Sequence, residues 1–289
     1  VLGVTLSKIL GQGSLFGMAL SSIPMTGGHG TAGAFGPILE SHGLDNASSI
    51  SIAAATFGLI AGSLIGGPVA KRLMKKHDLK PNVDDLHDAH FEADHNRESA
   101  VKISESGMFN AISVISFAIG LGAIITFGFE QLKWVFPVYI GAMFAAAIIR
   151  NLSDFTGLFT IKDNEVQVVG EICLSLFLAM ALMRMNLASL LDLAIPILII
   201  LFSQVLLVAL FAYFITFRVM GKNYDAAVMA CGHCGFGLGA TPNAMANMNA
   251  FTARNFPSPK AFFVLPIVGS LFIDFVNAGT ITGFLNFLL

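Results

Sequence analysis

Long apolar stretches alternate with short polar ones along most of this chain. Several of the apolar stretches reach the roughly 20 residues that a helix needs to cross a bilayer. We therefore predict an all-α polytopic membrane protein embedded in a lipid bilayer. The predicted membrane-spanning helices cover residues 48–70, 108–129, 134–150, 166–184, 193–217 and 260–289.

Composition supports a membrane protein. Hydrophobic residues make up 55% of the chain and charged residues only 12%, whereas soluble domains carry about 25% charged residues. The net charge of -2 and the absence of a basic face exclude nucleic acid as an expected partner. The three cysteines lie in or beside apolar segments, so they do not predict a disulfide framework.

A polar segment, residues 71–107, divides the chain into two membrane regions, 1–70 and 108–289. Lys71, Arg72, Lys75 and Lys76 follow the first predicted span directly, so the positive-inside rule predicts a cytoplasmic linker. Its histidines are a candidate metal site together with nearby acids, but a flexible polar loop is the favoured interpretation. These residues are His87, Asp88, His90, Glu92, Asp94 and His95.

A glycine-rich motif occurs twice. Residues 25–37 read MTGGHGTAGAFGP and residues 230–242 read ACGHCGFGLGATP. Each copy has Gly-His in an Ala/Gly-rich break, and a proline follows about ten residues later. Gly62 and Gly269 follow the two copies at nearly the same spacing. This order predicts a duplication, with residues 1–70 as the C-terminal part of the first repeat and 108–289 as the second.

The two motifs lie within residues 14–42 and 225–253, each too short for two full membrane crossings at 1.5 Å per residue. We predict re-entrant hairpins that enter from opposite faces, as in inverted-repeat secondary transporters. Irregular backbone at that depth must be buried in protein or line a wet cavity. The second limb of each hairpin would present N-terminal amides to a carboxylate. The first limb would present free carbonyls to a small cation.

Candidate site residues follow from this arrangement. The substrate-binding candidates are Gly28, His29, Gly30, Thr31, Gly232, His233, Cys234, Gly235, Phe236, Gly237, Thr241, Asn243 and Asn277. The cation candidates are Met25, Thr26, Gly27, Ala230, Cys231 and Asp274. Asp274 is included because an ionisable residue deep in a membrane helix is usually functional. Thr56 and Ser63, on one helix face of the first repeat, are weaker candidates, and Glu171 is expected to face water.

Other interpretations of these residues stay open. The glycines could serve close helix packing, the histidines could be structural, and Phe236 is better explained by packing. A zinc site at Cys231, His233 and Cys234 offers at most three ligands and is disfavoured. We expect no cofactor and no enzymatic activity, because neither His29 nor His233 has a convincing nucleophile partner.

Four segments resemble the bacterial sodium/glutamate symporter family. They are GKNYDAAVMACGHCGFGLGATPNAMANM (221–248), TGGHGTAGAF (26–35), SLFLAMAL (175–182) and FGLIAGSLIGGPVAKRL (57–73). The resemblance implies import of L-glutamate with Na⁺ as the coupling ion across the bacterial inner membrane by alternating access. It also implies a homodimer whose protomers have two inverted halves of five spans. Compared with that pattern, the chain is expected to lack about three N-terminal spans, and without them it should not transport. A Na⁺- or H⁺-coupled carrier of another carboxylate, such as a dicarboxylate, is the nearest alternative, and an ion channel is less favoured.

Overall fold

A computed structural model describes residues 1–80, 104–131, 138–157, 159–184, 191 and 193–288. All regular secondary structure in these ranges is helical. The helices are α1 Leu2–Ile9, α2 Ser14–Ala19, α3 Ser22–Met25, α4 Gly28–Ser41, α5 Ala47–His77, α6 Glu105–Gln131, α7 Val138–Thr156, α8 Asp163–Arg184, α9 Ala194–Phe211, α10 Phe217–Val219, α11 Tyr224–Leu238, α12 Thr241–Thr252, α13 Pro259–Ile267 and α14 Asp274–Leu288. Short π-helical turns, Ala212–Thr216 and Val268–Ile273, join α9 to α10 and α13 to α14.

Within the described ranges, three helices are long and apolar enough to cross a membrane. They are Ala47–His77, Glu105–Phe129 and Ala194–Val219. The chain is thus a helical membrane protein. The number of spans, their direction and the inverted repeat stay predictions. The predicted linker begins inside a helix, because α5 continues to His77. Residues 81–103, with His87, His90 and His95 of the candidate metal site, lie outside the described ranges.

The chain forms two compact units. One comprises residues 1–98 and 186–281, and the other comprises residues 99–185 and 282–289. In the second unit, α6 packs against α7 and α8. Arg150 at the end of α7 pairs with Asp154 at 3.0 Å and also with Asp163. Glu171 is exposed on α8 and accepts a hydrogen bond from Gln167 Nε2 at 3.0 Å, so it takes part in a local helix contact.

The first unit is built around α5 and α11. Helix α11 is capped by Asn223, whose side chain accepts a hydrogen bond from the backbone N–H of Ala226 at 2.9 Å. Such a cap satisfies one of the amides that the first turn leaves unpaired. Every residue of α11 is buried except the half-buried His233. This helix therefore forms the core of the unit, and α5 and α12 pack directly against it.

Glycines on α5 allow that close packing. A Cβ on Gly62 would lie 2.9 Å from the carbonyl oxygen of Cys234, and one on Gly66 would lie 2.8 Å from that of Cys231. Both glycines are buried. The backbones of α5 and α11 approach each other closely because small residues fill the contact, as is common between membrane helices.

The second hairpin breaks later than the sequence predicts. The first limb was expected to end around Ala230, Cys231 and Gly232, but these residues lie inside α11, which continues to Leu238. That prediction is wrong. Carbonyls in a helix interior accept intrahelical hydrogen bonds, so Ala230 and Cys231 lose the reason for which they were cation candidates. The break is at Gly239 and Ala240, and α12 begins at Thr241 with Pro242 in its first turn.

Candidate functional site

The breaks of the two hairpins meet inside the first unit. Gly28, which opens α4, has φ of 61°, and a Cβ there would lie 3.0 Å from the carbonyl oxygen of Gly239. The hydroxyl of Thr26 donates to the carbonyl oxygen of Gly237 at 3.5 Å. Glycine is favoured at position 28 because it adopts positive φ without strain and leaves room for the opposing backbone.

A cavity of about 290 Å³ lies at this junction. The first hairpin, the second hairpin and the π-helical turn before α14 all contribute to its wall. The lining residues are Thr26, Gly27, Phe236, Ala240, Thr241, Pro242, Gly269 and Ile273. We call it the tip cavity. Its volume is close to the lower end of the roughly 300–1,000 Å³ typical of small-molecule sites, so it suits a solute as small as an amino acid.

Two helix N-termini begin at the tip cavity. Helix α4 follows Gly27 and α12 follows Ala240, and neither helix has a side-chain hydrogen bond at its N-cap. The first-turn amides of a helix usually have no intrahelical partner, and they carry partial positive charge that favours an anion. In α12 only Thr241 offers such an amide, because Pro242 has no N–H and the N–H of Asn243 donates to the Ala240 carbonyl at 3.0 Å. The hydroxyls of Thr26 and Thr241 add polar groups to the same wall. This arrangement is chemically suited to a carboxylate.

The structure brings some of the predicted substrate and cation residues to the tip cavity. Thr26, Gly27, Phe236 and Thr241 line it, and Gly28 forms the contact between the two breaks. The sequence did not identify the other lining residues, which are Ala240, Pro242, Gly269 and Ile273. Of these, Gly269 carried a signal, because it was already recognised as the second-repeat counterpart of Gly62.

His233 does not line the tip cavity but packs against Phe236, which does. Its ring stacks on Phe236 with centroids 4.8 Å apart and is tilted against Phe211 at 5.5 Å. Its Nδ1 lies 2.8 Å from the hydroxyl of Thr216. The imidazole therefore supports Phe236, which itself lines the cavity. The structural interpretation of this histidine fits these contacts better than direct binding.

The first-hairpin residues beyond Gly28 point elsewhere. His29 Nε2 lies 3.0 Å from the hydroxyl of Thr56 on α5. Gly30 is exposed, and Thr31 lies beside Gly27 in the next turn of α4. None of these residues lines the tip cavity. Substrate binding by His29, Gly30 and Thr31 therefore stays a prediction.

Asn243 and Asn277 connect helices. The side-chain carbonyl of Asn243 accepts a hydrogen bond from Ser63 at 2.6 Å, and its amide donates to the carbonyls of Leu59 at 3.2 Å and Gly235 at 3.3 Å. These bonds use its polar capacity to hold α12 against α5 and α11. Asn277 on α14 contacts the hydroxyl of Ser22 and donates to the Ser22 carbonyl at 3.3 Å.

Asn247 is a position supporting the site that sequence reasoning missed. Its amide donates to the carbonyl of Gly62 at 2.9 Å and to that of Cys231 at 3.5 Å. It repeats, one helical turn later, the contacts that Asn243 makes with α5 and α11. The detectable signal was the spacing itself, since amides four residues apart lie on the same helix face.

The other candidates on α11 serve packing. A Cβ on Gly235 would lie 2.5 Å from Ala244 Cα, and one on Gly232 would lie 2.6 Å from Leu265 Cδ2. Cys231 and Cys234 are fully buried. Among the described residues, no group of three His, Cys, Asp or Glu side chains could hold a metal ion. Gly237 lies next to His233. Met25 is buried near Gly58. Asp274 opens α14, but its side chain is outside the described part of the structure.

Comparisons with known proteins give one family. The sequence model of the sodium/glutamate symporter family matches residues 1–257. Sodium/glutamate symporters of Escherichia coli K12 and Shigella flexneri are each 43% identical over 282 residues, covering 96% of this chain and 69% of the relative. That of Haemophilus influenzae is 40% identical over 284 residues, with the same coverage. No solved structure matches the chain. The chain belongs to the sodium/glutamate symporter family.

Proposed function

We propose that this protein imports L-glutamate together with Na⁺ across the bacterial inner membrane by alternating access. Its family and its relatives, which are sodium/glutamate symporters, support this function. The structural observation that carries the proposal is the tip cavity, where two uncapped helix N-termini meet between the hairpin breaks. A family of transporters, rather than of enzymes, is consistent with a site made of amides and hydroxyls.

Glutamate would bind through its carboxylates. The first-turn amides of α4, the amide of Thr241 and the hydroxyl of Thr241 would donate hydrogen bonds to them. Hydrogen bonds to a charged group contribute about 1.5–3 kcal/mol each. Phe236 and Ile273 form the apolar part of the wall and exclude water from the bound solute.

Na⁺ would bind where a broken helix ends, because such ends present unpaired carbonyl oxygens. In the first hairpin these carbonyls belong to Met25 and Thr26 at the end of α3, whereas the carbonyl of Gly27 already accepts from the Thr31 N–H at 3.4 Å. In the second hairpin the end of α11 at Leu238 and Gly239 replaces the predicted position. Asp274 remains a proposed carboxylate ligand. A cation beside the tip cavity lowers the cost of admitting an anion, and the linkage between the two solutes is reciprocal.

The wider transport cycle follows from the same proposal. The two hairpins belong to inverted repeats of a homodimer, and the part that carries them moves relative to a scaffold part. Residues 71–107 form the cytoplasmic linker between the repeats. No bound cofactor takes part, since Na⁺ is carried as a substrate.

Uptake by the full-length protein in proteoliposomes tests the proposal. Radiolabelled glutamate should accumulate above its equilibrium level when an inward Na⁺ gradient is present, and the accumulation should disappear when choline replaces Na⁺. An excess of unlabelled dicarboxylate, such as malate, should compete poorly. Uptake that is indifferent to Na⁺ would remove the coupling, and stronger competition by a dicarboxylate than by glutamate would identify the alternative substrate class.

A further inference from the structure

A second and larger cavity, of about 1110 Å³, lies between the C-terminal half of α5 and the end of α12. Five cationic side chains line it, and no acidic residue does. They are Lys71, Arg72, Lys75, Lys76 and Arg254. We call it the basic cavity. It exceeds the usual size of a small-molecule pocket, so it can hold a solute together with its water.

The charge of the basic cavity is uncompensated within the described residues. None of the five cations forms an ion pair with a described carboxylate. The nearest compensation is a cation–π contact in which Lys76 Nζ lies 5.5 Å from the ring centre of Tyr213. All five residues are exposed, and a concave wall of one sign concentrates counter-ions of the other. The cavity therefore favours an anion.

The positive-inside rule predicts lysine and arginine near the cytoplasmic ends of membrane segments, which covers both the α5 cations and Arg254 at the end of the second hairpin. The rule does not specify that these side chains share one concave wall, as they do here. Guanidinium groups match the planar geometry of a carboxylate, and each can donate two parallel hydrogen bonds to it.

The basic cavity also approaches the tip cavity. Ser63 also lines the basic cavity. Along α5 it lies about 18 Å from Lys75, at 1.5 Å per residue. The hydroxyl of Ser63 donates to Asn243, whose chain neighbour Pro242 lines the tip cavity. A single hydrogen-bonded contact therefore joins a wall residue of the basic cavity to the first turn of α12.

We propose that the basic cavity is a second, weaker binding site for the carboxylate solute, on the linker side of the tip cavity. Glutamate occupies it on leaving the tip cavity, and its carboxylates pair with Arg254 and the α5 cations. The identity of the solute rests on the proposed function. The binding needs no Na⁺, because the cavity is itself cationic, and it weakens as salt screens the charges.

Lysine footprinting in Na⁺-free choline buffer tests this site. The full-length protein in detergent is acetylated with a water-soluble ester, and the rate at each lysine is measured by mass spectrometry. Glutamate should slow acetylation of Lys71 and Lys75, by about twofold when its concentration equals the Kd. Glutamine, which lacks the side-chain charge, should have much less effect. Exposed Lys222, outside the cavity, is the internal control.

Two variants locate the effect. Arg254→Gln should abolish the protection, whereas Arg218→Gln should preserve it, because Arg218 lies over the ring of Phe214 and outside the cavity. Size-exclusion chromatography confirms that both variants are folded. Lys75→Gln should weaken the protection of Lys71 independently. Equal labelling with glutamate and glutamine would overturn the proposal, and so would retained protection in Arg254→Gln.

Further measurements distinguish glutamate from a lipid headgroup or phosphate as the bound anion. They also distinguish this second site from the proposed Na⁺ coupling. Short-chain phosphatidylglycerol micelles and inorganic phosphate are tested in parallel. Protection by the lipid alone would assign the cavity to a headgroup and contradict a solute site. Thr241→Ala should leave protection intact, since Thr241 belongs to the tip cavity. Na⁺-independent uptake with lysine protection by glutamate intact would contradict only the proposed coupling. Na⁺-coupled uptake without that protection would contradict only this second site.

Discussion

The side-chain amide of Asn247 donates to the carbonyl oxygen of Gly62 at 2.9 Å, and so joins α12 directly to the backbone of α5. The same amide reaches the carbonyl of Cys231 on α11 at 3.5 Å. Asn243 makes the matching pair of contacts one turn earlier. These amides hold α12, whose first turn lines the tip cavity, against α5 and α11.

Replacing Asn247 with alanine should destabilise the protein by about 1–3 kcal/mol, because the buried hydrogen bonds that join α12 to α5 and α11 are lost. Asn249→Ala is the matched control, since Asn249 is exposed on the same helix. Thermal unfolding in detergent, followed by the loss of monodisperse protein, measures the difference. Equal midpoints for the two variants would show that the amide contacts carry no stability.

Two glycines of α5 should respond differently in stability when each is replaced by alanine. Gly62→Ala should cost about 1–3 kcal/mol through overpacking, because the new Cβ would lie 2.9 Å from the Cys234 carbonyl. Gly67→Ala has no atom within 4 Å of its new Cβ. It should be neutral or stabilise the helix by up to about 1 kcal/mol. The two melting temperatures should therefore move apart, and a larger loss in Gly67→Ala than in Gly62→Ala would contradict the close helix contact.

Gly28 should be intolerant of a side chain. An alanine there must adopt a φ of 61° and would lie 3.0 Å from the Gly239 carbonyl. A residue other than glycine in this region costs about 1–2 kcal/mol, and the contact between the breaks must also widen. We expect Gly28→Ala to reduce glutamate uptake several-fold at equal expression. Gly30→Ala, whose new Cβ meets nothing within 4 Å, should retain uptake. A larger loss of uptake in Gly30→Ala than in Gly28→Ala would contradict the close contact between the two helix breaks.

Thr241 should contribute a hydrogen bond to the bound solute. Thr241→Ala should raise the KM for glutamate by about 10- to 100-fold, which corresponds to a charge-assisted bond of about 1.5–3 kcal/mol. Thr241→Ser keeps the hydroxyl and should largely restore the KM. Thr252→Ala is the control. Thr252 lies on the same helix but outside the tip cavity, and its hydroxyl donates to the Met248 carbonyl. An unchanged KM in Thr241→Ala would exclude a binding role.

Sequence reasoning predicted a helix break in each glycine-rich segment, and each segment has one, but the break predicted in the second segment lies too early. The reason is physical: glycines that let helices touch and glycines that let a chain turn look the same in a sequence. In the run from Gly232 to Gly237 the glycines pack against α12, α13 and a histidine ring, and the turn comes afterwards at Gly239. Only the three-dimensional contacts distinguish the two uses.

The polar side chains were harder to predict for a related reason. Asn243 and Asn277 were expected to bind solute, yet their hydrogen bonds go to neighbouring helices. An amide satisfied by backbone carbonyls and one directed at a ligand have the same sequence signature. Of the two hydroxyls expected to meet the carboxylates, Thr241 lines the tip cavity and Thr31 does not, because only Thr241 stands directly beside a break.

Solute protection of a cysteine placed at Ala240 tests the central claim most directly. Ala240 lines the tip cavity between the hairpins, and exposed Cys173 is replaced by serine so that the new thiol reacts alone, Cys231 and Cys234 being buried. Glutamate and Na⁺ together should slow the reaction of Ala240→Cys with a thiosulfonate reagent. Neither alone should match them, and Ala253→Cys, exposed beyond α12, should react at a constant rate. An Ala240→Cys rate that glutamate and Na⁺ together leave unchanged would contradict a glutamate site at the meeting point of the two hairpins.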